Sequence, residues 1–436
     1  MGPCSQGFRR GWQNPFLGNR LHTMPELPKI EFTEAQLKLR DAAREIAIQH
    51  LLPNAGKHDK DGTFNEAAFQ AAVDAGMLGV WIPEEYGGSN LGITALSMIV
   101  EEFSKADPAF GVAFAVNALG SIPILVGGTP DQKAKYLPRV AAGKAACAFA
   151  LSEKFAGSDA GGLSVRAEKV DGGYRINGEK KWTTNGSRAD IITVFAVTDP
   201  TSKSRRISAF ICEKTDEGFH IIKEEDKMGI RQVPVSETGY DNVFLPDDRL
   251  LGGTPGLGFK HSMMTLDLAR PGVAAQAVGT AAGALEYAVT YAARRKQFGQ
   301  PIISFQMIQS MLADMAMQTE AARWLVYATA ALADRGSRDT TRYAAMCKCF
   351  ATDTAVKVAT DAVQVFGGYG FMEDYPIAKF YRDSKILQIY EGTNQVQRMV
   401  IARNLIKEAK NFDYLNNFIP TETQRTFGLE HEIANT

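Results

Sequence analysis

The chain has 436 residues, 45% of them apolar and 22% charged, with 48 Lys plus Arg against 49 Asp plus Glu. That length exceeds one ordinary core and implies two or three packed units, and the apolar share excludes wholesale disorder. A net charge of −1 provides neither a global basic field for nucleic acid nor an acidic one. Residues 1–23 carry Arg9, Arg10 and Arg20 with no acid before Glu26. Two readings stand: a transit peptide for the mitochondrial matrix, or residues upstream of a natural start at Met24 in a bacterial cytoplasmic protein. Gly and Pro punctuation favours the second.

Thr33–Gln36 forms a capping box, and Leu39, Ala43 and Ile46 follow at helical spacing until Pro53. Phe64–Ala75, Leu96–Lys105 and Pro108–Leu119 are further helices. Phe110 to Gly127 is uncharged and long enough for a membrane, but Pro123 and two glycines interrupt it. The expectation is a buried helix, a turn near Pro123 and a second apolar segment, with no membrane span. The period then changes. Asn177-Gly178, between Tyr174–Ile176 and Glu179–Thr184, reads as a hairpin turn, and Asp171-Gly172-Gly173 marks another turn. Ile191–Val197, Ile207–Cys212 and Phe219–Ile222 are β-type runs. Helical patterns return at 260–296, 304–336, 339–365, 375–385 and 394–409. The units expected are an extension 1–29, a helical domain 30–150, a β domain 151–260, a helical domain 261–410 and an extension 411–436. No Rossmann glycine pattern or P-loop is present. Five scattered-to-paired cysteines, with Cys347 and Cys349 diverging on a helix, and six scattered histidines offer no disulfide framework and no metal site.

One carboxylate stands out. Glu391 is the sole charge between Lys385 and Arg398, in an apolar stretch ending in Gly392 and Thr393. Desolvation raises such a carboxylate toward the range of a general base, but an acid at a helix start reads the same way. Four other segments are ambiguous taken singly. Phe149–Glu153 with Gly157-Ser158-Asp159 is an anion-approach loop or a plain turn. Lys180–Gly186 is an aromatic beside hydroxyls or an ordinary strand. Arg294–Pro301 is a pyrophosphate cradle or a solvated helix end, and Val365–Gly370 is a ligand approach or a helix-ending turn.

In this order and spacing, the stretches AFALSEKFAGSD, NGEKKWTTNG, DLARPGVAAQAVG, RRKQFGQPI, QVFGGYGF and IYEGTNQVQR resemble the acyl-CoA dehydrogenase family over about residues 30–410. The resemblance implies an α+β multidomain fold: an N-terminal α-helical domain, a middle β-barrel or sandwich-like domain and a C-terminal four-helix bundle. It implies FAD, an acyl-CoA substrate, electron-transferring flavoprotein as acceptor and a homotetramer. Glu391 resembles the catalytic base. Ala269 occupies the position that carries the base in other branches, such as the isovaleryl- and long-chain-type enzymes. Phe149, Leu151, Ser152, Trp182, Thr184, Thr393 and Gln395 resemble FAD contacts. Arg295, Gln297, Phe298, Phe305, Gln306, Gln364, Gly367 and Gly368 resemble residues reaching a neighbouring subunit's FAD. Ser158, Asp267, Arg270 and Gly392 resemble substrate contacts, Ser158 and Arg270 on the CoA arm. Lys154 stands where the family usually has Pro, which leaves the path of the 153–159 loop open. The implied reaction is α,β-dehydrogenation. The alternatives are an acyl-CoA oxidase using O2, whose chains carry an extra helical domain, and a non-catalytic binding or assembly relative. Leu96–Ile99 and Phe114–Leu119 are the candidates for the acyl-chain end, with a short, branched or cyclic group expected.

Overall fold

The computed structural model describes residues 29–409, so the expectations placed on residues 1–23 and on the stretch after Lys410 lie outside the described residues. The compact unit Ile30–Ile401 carries every element below except the last turns of the final helix. The first helices are α1 (Glu34–Ile46), α2 (Ala55–Asp61), α3 (Glu66–Asp74), α4 (Gly92–Ala106), α5 (Pro108–Gly127) and α6 (Pro130–Ala141). The Thr33 hydroxyl accepts from Gln36 N at 3.2 Å and the Gln36 side chain accepts from Thr33 N at 2.9 Å, which is the expected capping box.

Helix α5 corrects the sequence reading. It runs unbroken through Pro123 to Gly127 and is mostly buried. Pro removes one intrahelical donor, but the turn before it is tied to the sheet and by its own side chains. The Thr193 hydroxyl donates to Gly120 O at 2.9 Å, and Ser121 Oγ donates to Asn117 O at 2.7 Å. Gly120 is required for space, because a Cβ there would meet Ala148 N at 2.7 Å. Around it, Phe103, Phe110, Phe114 and Trp81 meet edge to face. Its length and hydropathy suit a membrane, but its position is that of a core helix.

The middle sheet has the order β1 (Cys147–Ala150), β4 (Ile191–Val197), β2 (Arg166–Val170), β3 (Gly173–Thr184), β7 (Val235–Pro246) and β6 (Phe219–Glu224), with β5 (Ile207–Glu213) also on β4. Asn177-Gly178 is not a hairpin turn. It lies inside β3, where the pairing with β7 jumps from Ile176–Val243 to Gly178–Tyr240. The Asn177 side chain accepts from Asn242 N at 2.8 Å, so it serves a bulge rather than a reversal. The reversal is at Asp171-Gly172, where Gly172 has φ +74°.

The last helices are α7 (Gly258–Arg294), α8 (Gln306–Asp334), α9 (Thr340–Phe366), α10 (Ile377–Ser384) and α11 (Asn394–Ala409). Alanine-rich α7 packs along α9, α4, α5 and α8, so it is the shared wall of both helical parts. A two-residue hairpin, β8 (Lys296–Gln297) and β9 (Gln300–Pro301), joins α7 to α8. The N-terminal helical, middle β and C-terminal helical order follows the expected fold class.

Candidate active site

Between α10 and α11 the chain passes through Tyr390, Glu391 and Gly392. Glu391 has φ +52° and Gly392 has φ +91°. A left-handed residue with a Cβ costs on the order of 1 kcal/mol and persists only where neighbours hold it. Here they do. The Glu391 carbonyl accepts from Arg270 Nε at 3.3 Å and Gln397 Nε2 at 3.2 Å. The Gly392 carbonyl accepts from Lys348 Nζ at 2.9 Å and Gln397 Nε2 at 3.1 Å. The left-handed φ favours glycine at 392, and a Cβ there would also displace the end of Gln397, 2.5 Å away. Thr393 caps α11, its hydroxyl accepting from Val396 N at 3.2 Å. Thr393 rather than Glu391 makes the capping contact at the start of α11.

The Glu391 Oε2 atom is shielded from solvent and has no hydrogen-bond partner. Burial pushes the carboxyl up to about 7, against the opposing pull of Arg270 and Lys348. Arg270 is 5% exposed and is held by Asp267 Oδ1 at 3.1 Å, while Asp267 Oδ2 accepts from Thr341 Oγ1 at 2.5 Å. The structure thus sets Arg270 beneath the Glu391 carbonyl. Tyr390 donates to Gln276 Oε1, and Gln276 Nε2 donates to Pro108 O at 2.8 Å, which ties the segment to α7 and α5.

A second group comes from the sheet. The pairing of β3 with β7 shifts again between Lys180 and Thr183, so Lys181 and Trp182 together face Glu237. Trp182 takes φ +56° and turns its indole out to 57% exposure. Leu151 and Ser152 are fastened beside it. Lys181 N donates to Ser152 O at 2.9 Å, and Lys180 Nζ donates to Leu151 O at 2.9 Å and Glu153 Oε1 at 2.8 Å. Glu153 also accepts from Ser164 N, Ser164 Oγ and Val165 N. Burial raises the Glu153 carboxyl, but Lys180 and Ser164 outweigh it and leave it below the ordinary value. Burial lowers Lys180 to about 8 despite Glu153. Lys154 points to solvent, and a tight Glu153–Ala156 turn carries the loop onward to exposed Ser158.

These groups converge on α5. Asn185, next to Thr184, donates from Nδ2 to Ala113 O at 3.1 Å. Ala113 belongs to an apolar patch with Ala109, Val112, Ile230 and Val233, and Tyr390 packs against the same patch. The outward indole beside the half-buried Thr184 fits the face of a flat heterocycle, and the unpartnered carboxyl oxygen beside Tyr390 fits a proton acceptor. Phe149 packs on Phe195 behind the loop, with ring centroids 4.9 Å apart.

A third group is separate. Arg295, Gln297, Gly367 and Gly368 line a cleft of about 520 Å³ whose lining includes neither Glu391 nor Trp182. The Arg295 guanidinium lies 5.3 Å from the Tyr369 ring. Phe298, at the tip of the β8–β9 hairpin with φ +52°, is 93% exposed and meets Phe305 edge-on at 6.0 Å. Gln306 opens α8, Gln364 is exposed near the end of α9, and Gln395 is exposed in the first turn of α11.

Sequence reasoning passed over Lys348 and Gln397. Lys348 left a signal: it stands four residues from both Ala344 and Thr352 on the apolar face of α9, a position where lysine has no simple place.

Three family models match: the acyl-CoA dehydrogenase N-terminal domain at residues 33–144, the middle domain at 148–243 and the C-terminal domain at 256–406. The chain is 45% identical to the probable acyl-CoA dehydrogenase fadE25 of Mycobacterium leprae (strain TN), over 91% of this chain and 100% of the relative. It is similar to butyryl-CoA dehydrogenase from Megasphaera elsdenii, with a TM-score of 0.84 and 41% identity over 87% of this chain and 100% of the other. It is equally similar, with a TM-score of 0.84 and 45% identity over 86% and 99%, to a chain from a structure of the electron transferring flavoprotein of Acidaminococcus fermentans. The chain belongs to the acyl-CoA dehydrogenase family.

Proposed function

We propose that the protein catalyses FAD-dependent α,β-dehydrogenation of an acyl-CoA thioester to the trans-2-enoyl-CoA, with Glu391 removing the α proton. The observation that carries this reading is the unpartnered, desolvated Glu391 carboxyl on a left-handed turn between two buried cations. A base is most effective with a pKa near the working pH, and about 7 meets that condition. FAD, when bound, supplies the acceptor for the β hydride. Trp182 and Thr184 would flank its ring, and Leu151 and Ser152 would border it from the loop. The α C–H becomes acidic enough to lose its proton only where charge developing on the thioester oxygen meets fixed donors, and the rigidly held backbone of Glu391 would supply one through its N–H. Tyr390, next to Glu391, packs against the buried apolar patch of α5, and a dry surface of that kind strengthens such hydrogen bonds.

Leu96, Met98, Ile99, Phe114, Val116 and Ala118 are buried and would border the acyl end. The butyryl-CoA relative supports a short acyl chain. Electrons would leave to an electron-transferring flavoprotein, in keeping with the Acidaminococcus fermentans likeness. The outward Phe298 hairpin and the Arg295 cleft support a homotetramer in which these residues reach a neighbour's FAD. The bacterial relatives accord with a cytoplasmic location.

The test is Glu391→Gln. It keeps size and should retain yellow flavin while lowering kcat by about a thousandfold or more. Near-normal turnover with full flavin would remove Glu391 from the chemistry.

A further inference from the structure

Lys348 has no solvent exposure and lies in the middle of α9. Its Nζ donates to Gly392 O and Asn394 Oδ1, each at 2.9 Å. A buried ammonium is costly, and a methionine of similar shape would fill the same space without that cost. The cost is borne at one place, directly behind the Glu391–Gly392 turn.

We propose that Lys348 is a positioning residue for the dehydrogenation: by pinning the Gly392 carbonyl and the Asn394 side chain, it fixes the left-handed turn that aims the Glu391 carboxyl. The inference rests on the reading of Glu391 as the base. Three hydrogen bonds from two donors hold this turn besides Lys348's own bond, but they differ. Arg270 and Gln397 reach the Glu391 carbonyl at 3.3 and 3.2 Å, and Gln397 reaches Gly392 at 3.1 Å. Lys348 makes the shortest of these contacts and, among the described residues, gives Gly392 O its charged donor. Its second acceptor, Asn394, is itself locked by Asp353 Oδ1 at 2.7 Å and Thr352 Oγ1 at 2.8 Å. The ammonium therefore connects α9 to the start of α11 across the turn, and the turn has little freedom to relax.

Charge adds to position. Facing Glu391 are Arg270, with Asp267 behind it, from α7; Lys348, with Cys349 and Asp353 beyond it, from α9; and Tyr390 on its own segment. Only Arg270 and Lys348 favour the ionised carboxylate against burial. Burial likewise lowers Lys348, to about 8, with Glu391 opposing the fall. Removing the ammonium makes the Glu391 proton harder to lose, so the acid limb of the rate profile moves to higher pH.

The experiment compares Lys348→Met and Lys348→Gln in the purified full chain, with Glu391→Gln as the control. Infrared difference titration follows the protonated carboxyl stretch of Glu391, assigned by its loss in Glu391→Gln, alongside kcat and KM. Lys348→Met should raise the Glu391 midpoint by about one pH unit and lower kcat about tenfold, with KM within about twofold. Lys348→Gln keeps a donor without the charge, so it should keep the raised midpoint and recover part of kcat. A midpoint and kcat both unmoved in Lys348→Met overturn the proposal, as does failure of both variants to fold, which makes Lys348 a residue of the fold alone. Full turnover in Glu391→Gln instead overturns the base reading, whatever Lys348 does.

Discussion

Two buried charge clusters in this molecule are built to opposite ends. In one, Lys379 donates to Asp107 Oδ1 at 2.6 Å and Asp383 Oδ2 at 2.5 Å. Asp107 Oδ2 accepts from Gln232, and Asp383 Oδ1 accepts from Ile230 N at 2.5 Å. All four carboxylate oxygens are occupied, and the cluster fastens α5, the 230–232 loop and α10 together. Burial alone lowers the Lys379 ammonium, but its two carboxylates overcome that and raise it. In the other cluster Arg270 and Lys348 each give one hydrogen bond to a backbone carbonyl of the turn and another to a side chain other than Glu391, Asp267 and Asn394 respectively, and Glu391 Oε2 is left without a partner. A satisfied cluster holds the fold, whereas an unsatisfied one stores reactivity.

The comparison breaks first at Lys379. Replacing it by Met leaves two buried carboxylates facing each other and should cost about 3–5 kcal/mol of stability, read by denaturant unfolding. A loss under about 1 kcal/mol would make the cluster ornamental.

A smaller effect of opposite sign is expected at Glu391. The folded chain holds this proton to about 7, against an ordinary 4.5, so ionisation opposes folding. Stability is fully present below 4.5 and is lost as pH rises through about 7. Glu391→Gln should therefore be more stable than the parent at pH 8, by on the order of 2 kcal/mol, with the gap closing by pH 4. Thermal unfolding at the two pH values measures it, and a constant gap would refute the desolvated carboxyl. The smallest effect is at Phe298, which belongs to neither cluster. Phe298→Ser should change unfolding of the isolated chain by less than about 0.5 kcal/mol. It should nonetheless weaken assembly and flavin retention, as light scattering and flavin absorbance would show.

The helical–β–helical order was legible because apolar period is a local property, and Thr33–Gln36 could be placed because a capping box spans four residues. Glu391 was legible as an isolated charge in an apolar run. What escaped depended on contacts distant in sequence. Asn177-Gly178 has the residues of a hairpin turn, yet pairing with Tyr240 and Val243 kept the strand continuous. Pro123 has the chemistry of a helix breaker, yet burial against β1 and β4 carried the helix through. Lys348 acquires meaning only beside a turn 44 residues away.

The hitch between Lys180 and the 151–153 loop has a practical corollary for redesign. Because one ammonium grips both Leu151 and Glu153, the loop and the Trp182 bulge move as a piece. Libraries directed at the proposed acyl end can therefore mutate α4 and α5 while the indole side keeps its shape. Variants touching Lys180 itself would scramble both at once.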